Sequence, residues 1–269
     1  MSTALIDSGP VLLDLDEHGI ARLSLNRPDA ANGMDVALLQ TLHQAVLRCH
    51  GESDVRVVIL SGRGRHFCAG GDVKTFAEKG TELPDYLREA TAWLQIAVSA
   101  LTQLRVPVIA AVHGFAAGGG GLGLVCAADL VVATESAKFM SGAVRVGMAP
   151  DGGATATLTQ LVGLRKALEI LLTNPTLTAA EARDIGLINK VVSDDSLDDE
   201  VTVLARTLAD SAPLALAATK RLVWGGVGAS LENQLPQEAR TVAELSGTAD
   251  AREGLAAVLE RRAPRYSGR

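Results

Sequence analysis

Val112-His113-Gly114-Phe115-Ala116-Ala117-Gly118-Gly119-Gly120-Gly121-Leu122-Gly123 is the stretch on which the reading of this chain turns. A strand predicted over 107–112 leads into it, and a helix is predicted over 118–127, opening on four consecutive glycines. Inside a helix each glycine costs up to about 1 kcal/mol relative to alanine, so such a run demands a compensating close contact. At a helix start the first N–H groups have no intrahelical acceptor and point outward, where they attract negative charge. Tight helix packing is the competing explanation of the same glycines. Gly118, Gly120 and Gly123 also satisfy the GxGxxG dinucleotide pattern. No acidic residue ends a second strand about 20 residues later, where a ribose partner belongs, which disfavours a nicotinamide enzyme.

A second glycine turn lies upstream in His66-Phe67-Cys68-Ala69-Gly70-Gly71-Asp72-Val73-Lys74. Its two glycines let backbone approach a ligand closely, and Lys74 can meet a phosphate; an ordinary tight turn is the plainer reading. It follows a strand predicted over 55–60 and the turn Ser61-Gly62-Arg63-Gly64. Further upstream, alternating runs at 11–16 and 20–25 flank His18-Gly19 as a hairpin, and Asp35 can cap a helix whose Val36, Leu39, Leu42 and Val46 share one face.

Downstream, 75–84 reads as a connection, 85–104 as a helix and 130–133 as a strand. Thr178 with Glu181 forms a capping box, Gly186 a stop, and 187–192 a last strand. Helices follow over 195–209, 213–224, 231–245 and 250–261, the last with a second box, Asp250 and Glu253. The repeating strand, turn and helix make the fold α/β, with a core over 1–200 and a helical region over 201–269.

Composition agrees with an enzyme-sized globule: 48% of the 269 residues are hydrophobic, but only 3% are aromatic, so Ala, Val, Leu and Ile must build the core. The formal charge of −6 argues against a nucleic-acid surface. Cys49, Cys68 and Cys126 have no CxxC spacing, so neither a disulfide framework nor a structural metal is expected. The first ten residues lack a basic, apolar leader, and charges interrupt every apolar run before about 20 residues, so the expectation is a cytoplasmic protein with no membrane partner.

The two glycine turns, with Leu25-Asn26-Arg27-Pro28 upstream and Gly147-Met148-Ala149-Pro150-Asp151-Gly152-Gly153 downstream, resemble the crotonase, or enoyl-CoA hydratase/isomerase, superfamily. The likeness extends through Thr219-Lys220-Arg221 and the tail from Arg252-Glu253-Gly254 to Arg269, and the stretch from Ala212 to Arg269 looks most like the ring-1,2-epoxyphenylacetyl-CoA isomerase branch. It implies a spiral of ββα units, a C-terminal trimerisation region, and a homotrimer or dimer of trimers. It also implies that the N–H groups of Gly71 and Gly119 form an oxyanion hole for a thioester carbonyl. Coenzyme A would then lie near Arg27, Asp29, Ala30, Ala69 and Lys74 as part of the substrate, with no separate cofactor.

The chain departs from family hydratases at both water-activating glutamates, which fall at Leu122 and Ala143. Neither side chain can orient water or exchange a proton. Asp151 remains, and family isomerases use an aspartate at this position. The expectation is therefore an isomerase in which Asp151 shuttles a proton and moves a double bond. On local sequence alone Asp151 reads instead as the cap of a helix beginning near Gly152. Two alternatives stand beside the isomerase: a hydratase or hydrolase drawing on Glu78, Glu82, Asp85 or Glu89, and a non-catalytic acyl-CoA binder. Cys68, His66 and His113 border the glycine turns and read as packing or solvated residues.

Overall fold

A computed structural model describes residues 2–269. Strands β1 (Ser2–Ile6), β2 (Val11–Asp16) and β3 (Ile20–Leu25) form an antiparallel meander. Helix α1 (Val36–Gly51) then crosses over to β4 (Val57–Gly62), which pairs parallel with β3. Asp35 caps α1 through the Leu38 amide, as its position in the sequence implies. Helices α2 (Val73–Glu78) and α3 (Leu83–Thr102) lead to β5 (Val108–Val112).

The next two units share a pattern. β5 is followed by β6 (Phe115–Ala117) and α4 (Gly118–Ala127); β7 (Leu130–Thr134) is followed by β8 (Lys138–Met140), α5 (Ala154–Val162) and α6 (Leu164–Thr173). The first strand of each unit joins a seven-stranded sheet, β1-β2-β3-β4-β5-β7-β10, and the second joins a small sheet, β6-β8-β9. Here β9 is Leu177–Thr178 and β10 is Lys190–Val192, with α7 (Ala179–Asp184) between them. Helices α8 (Leu197–Ala209), α9 (Pro213–Gly226), α10 (Leu231–Ser246) and α11 (Ala249–Glu260) complete the chain. This is the ββα arrangement that the resemblance implies.

Side-chain alternation along β4 and β5 divides the interior in two. Val58, Leu60, Val108, Ala110 and Val112 pack with α1, α3 and α4, while Val57, Ile59, Ile109 and Ala111 meet Val201 and Ala205 of α8. Strands buried on both faces read as unbroken apolar runs, which is how β4 and β5 appear in the sequence. The expected division at residue 200 falls inside α8, so the helical region leaves the sheet only after Ala209. Among the described residues no single helix is long and apolar enough to cross a membrane.

Several expectations need correction. The segment 75–84 is mostly helical, because Asp72 caps α2 through the Thr75 amide and Pro84 sits in the first turn of α3, where a missing N–H is tolerated. The last strand shortens to β10. The second capping box does not form: Thr248 caps α11, its Oγ1 accepting from the Ala251 amide at 3.0 Å. Asp250 instead accepts from the Ser267 and Gly268 amides at 2.7 and 2.8 Å, and Arg262 pairs with Glu253 and Glu260, so hydrogen bonds and ion pairs hold the last residues to α11. Thr248→Ala should therefore lower stability by about 1 kcal/mol; a urea melt indistinguishable from wild type would contradict this cap.

Lys220 explains the Thr219-Lys220-Arg221 motif. Its ammonium is buried 2.6 Å from Asp129, whose carboxylate also accepts from Trp224 Nε1 and the Val108 amide, both at 2.7 Å. The cluster fastens α9 to the start of β5.

Candidate active site

The two glycine turns meet. A parallel bridge pairs Cys68 with Ala116, and another pairs Met34 with Gly71. Gly70 and Gly118 both have positive φ and touch backbone to backbone: a Cβ on Gly118 would lie 3.0 Å from Gly70 Cα and 3.7 Å from the Gly71 nitrogen. Only glycine permits that approach.

The peptide geometry fixes where Gly71 N–H points. Gly70 O accepts from the Met34 amide at 2.8 Å, and across a trans planar peptide the N–H of Gly71 is directed oppositely, away from Met34. Gly119 is the second residue of α4, in the turn whose N–H groups lack helical acceptors. Among the described residues neither nitrogen donates to a protein acceptor. Both glycines line one cavity of about 430 Å³.

The glycine run in α4 divides its work. A Cβ on Gly121 would fall 2.3 Å from the Cys68 carbonyl oxygen, and one on Gly120 would fall 2.7 Å from Met34 Sδ. These two serve packing against the bridges. At Gly119 the space is taken by Asp151, whose Oδ1 lies 1.5 Å from the point a Cβ would occupy. Packing and site chemistry, rivals in the sequence, thus fall on adjacent residues.

Asp151 is not a helix cap. Helix α5 begins at Ala154 with Gly153 as its N-cap and no side-chain cap bond, because Gly152 and Gly153, both at positive φ, turn the chain first. Gly152 packs on the Gly119 carbonyl, which brings the preceding Asp151 side chain over Gly119. Among the described residues Asp151 is the one carboxylate on the cavity wall, which is otherwise largely apolar, including Met34, Leu94, Met140, Val146 and Met148. Burial there pushes its pKa above the ordinary carboxylate value, opposed by a hydrogen bond from its own backbone. Ala143 lines the cavity, whereas Leu122 is packed in the core. Glu78, Glu82, Asp85 and Glu89 are exposed and off the wall, and Asp85 pairs with Arg88.

Of the remaining expected residues, Ala69 lines the cavity and its amide donates to Ala31 O at 3.0 Å, which seats the 29–31 turn beside it. Asp29 and Lys74 are exposed and Ala30 is half-buried, and none of the three lines the cavity wall. Arg27 differs: its guanidinium is paired with Asp35 at 3.1 Å and Asp72 at 3.0 Å. Burial pushes the Cys68 thiol up to about 12, in keeping with packing. His66 Nδ1 accepts from the Phe115 amide and His113 Nε2 lies 2.9 Å from Gly64 O, so both serve the loops.

Sequence reasoning missed Asn32 and Phe76. Asn32 is fully buried at φ 54°, its amide group within 2.7–3.1 Å of the Arg63, His66 and Phe67 carbonyls. It ties the loop after β3 to the first glycine turn. Phe76 lays its ring against Gly71. An Asn-Gly pair at 32–33 was the only signal for the first, and nothing in the sequence locates the second.

The sequence profile described as Enoyl-CoA hydratase/isomerase matches residues 16–269. A probable enoyl-CoA hydratase of Rhodobacter capsulatus is 38% identical over 94% of this chain and 96% of its own length. The 1,2-epoxyphenylacetyl-CoA isomerase of Escherichia coli is 34% identical over 94% and 97%. The crystal structure of an enoyl-CoA hydratase from Bacillus anthracis superposes with a TM-score of 0.91 at 32% identity, covering 97% of this chain and all of that one. By sequence, fold and the joined glycine turns, the chain belongs to the enoyl-CoA hydratase/isomerase family.

Proposed function

We propose that the protein isomerises an acyl-CoA thioester, with Gly71 and Gly119 binding the carbonyl oxygen and Asp151 moving the proton. The observation that carries this reading is the lone carboxylate of the cavity standing against Gly119. A thioester oxygen held between two fixed N–H donors gains more stabilisation as an enolate than as a carbonyl, so the donors lower the barrier to proton removal. Asp151 takes the acidified proton, and the same carboxyl returns it at another carbon as the enolate collapses. The net change is a shifted double bond. A raised pKa suits a group that must accept and release a proton near neutrality.

Water activation has little support in this cavity, since Ala143 and Leu122 replace the glutamates and the 78–89 carboxylates face outward. Coenzyme A is proposed to lie near Asp29, Ala30 and Lys74, next to Ala69 on the cavity wall. Association into a homotrimer or dimer of trimers is supported by exposed apolar residues on α9–α11, among them Val223, Leu231, Val242 and Val258.

The reading is tested with two thioesters. 3-Hexenoyl-CoA is expected to gain conjugated-enoyl absorbance when the enzyme is added, and crotonyl-CoA to keep it. Loss of the crotonyl-CoA absorbance, with no conjugation of the 3-enoyl substrate, would make the protein a hydratase.

A further inference from the structure

We infer that Arg27 is a positioning residue for the Gly71 donor, acting through an ionic clamp with Asp35 and Asp72; this rests on the oxyanion reading above. Gly71 owes its orientation to the bridge with Met34, made by Met34 N to Gly70 O at 2.8 Å and Asp72 N to Met34 O at 3.0 Å. Glycines 70 and 71 bring no side chain to hold that geometry, and glycine is the residue with the greatest backbone freedom. Arg27 supplies the missing restraint from outside.

The guanidinium straddles the bridge one residue beyond it on each strand. It reaches Asp72 next to Gly71 at 3.0 Å, Asp35 next to Met34 at 3.1 Å, and the Gly33 carbonyl on Met34's other side. A planar fork of donors can span three acceptors; a lysine ammonium presents one point of charge. The clamp is sheltered, with side-chain exposures of 23%, 22% and 12% for Arg27, Asp35 and Asp72, so solvent screens it less than a surface pair. Arg27 is itself anchored, its amide donating to Asn32 Oδ1 at 2.8 Å. Asp72 also caps α2, whose Phe76 covers Gly71. Burial works against the Asp72 carboxylate, but the Thr75 amide and Arg27 hold its pKa below the ordinary value.

The test compares wild type with Arg27→Ala, Arg27→Lys and the double variant Asp35→Asn/Asp72→Asn. Asparagine caps helices as well as aspartate, so the double variant removes the charges while keeping both caps and remains informative if Arg27→Ala fails to fold. The readout is the isotope-edited infrared spectrum of bound hexanoyl-CoA labelled at its carbonyl carbon, with kcat and the Kd for free CoA. Wild type is expected to lower the carbonyl frequency. Arg27→Ala and the double variant should lose most of that shift and about tenfold to a hundredfold in kcat, the scale of a small misplacement of a catalytic group. Affinity for free CoA should hold, and Arg27→Lys should recover part of the shift. A full carbonyl shift in the variants overturns the inference, and with weakened CoA binding makes Arg27 a phosphate contact. Absence of a shift in wild type removes the oxyanion reading itself.

Discussion

Asp151→Asn is expected to lower kcat by about 10²–10⁴-fold, the usual contribution of a positioned acid/base, while the Kd for an acyl-CoA stays near the wild-type value. Asparagine keeps the shape of the side chain and one acceptor oxygen but cannot take up a proton. Titration of wild type should show the acid limb of kcat/KM above the ordinary carboxylate pKa, since the ionised base must be present and burial has raised its pKa. Stability should move the other way. A carboxyl whose folded pKa exceeds its unfolded pKa binds its proton more tightly in the native state, so its stabilising contribution is present at low pH and lost as pH rises through the folded value. At neutral pH the buried charge is a cost, and Asp151→Asn, uncharged throughout, should melt slightly higher. A variant that keeps its turnover would remove Asp151 from the chemistry; one that melts lower at neutral pH would show that burial does not strain the charge.

Two neighbouring glycines should fail in different ways. Gly119→Ala places a methyl 1.5 Å from Asp151 Oδ1, and the carboxylate can rotate aside, so the protein should fold and lose most of its activity. With both donor and base displaced, the loss should reach at least the 10²–10³-fold typical of removing one oxyanion donor. Gly121→Ala drives its methyl to 2.3 Å from the Cys68 carbonyl and 2.9 Å from the Ala116 carbonyl carbon, where only backbone can yield. Overpacking of this kind costs about 1–3 kcal/mol, and the Cys68–Ala116 bridge is what joins the two turns. Thermal melts and kcat for both variants distinguish the cases. Equal stability losses would mean that Gly119 is packing as well.

These contrasts show where the sequence is informative. The hairpin at β2–β3, the Asp35 cap, the α4 boundaries and the Thr178–Glu181 box could be read because each is decided by neighbours within a few residues. Motif order along the chain carried the family and its glycine turns. Asp151 read locally as a cap because what carries its side chain into the cavity is the packing of Gly152 on Gly119, which lies 32 positions before Asp151. The Arg27 clamp, the Asn32 anchor and the Phe76 cover escaped for the same reason: each is a tertiary contact between loops, and no periodicity announces it. Asp250 illustrates the converse, a good capping residue drawn instead to the C-terminal tail because Thr248 already held the cap.

Nothing else in the mechanism stands unless Gly71 and Gly119 serve one oxygen atom. The most direct measurement is a crystal structure of the Asp151→Asn variant with an unreacted acyl-CoA thioester. Both glycine nitrogens are expected about 2.7–3.1 Å from the thioester oxygen. A carbonyl that engages one nitrogen alone, or that turns toward Arg145 or solvent with both nitrogens unoccupied, would contradict the account.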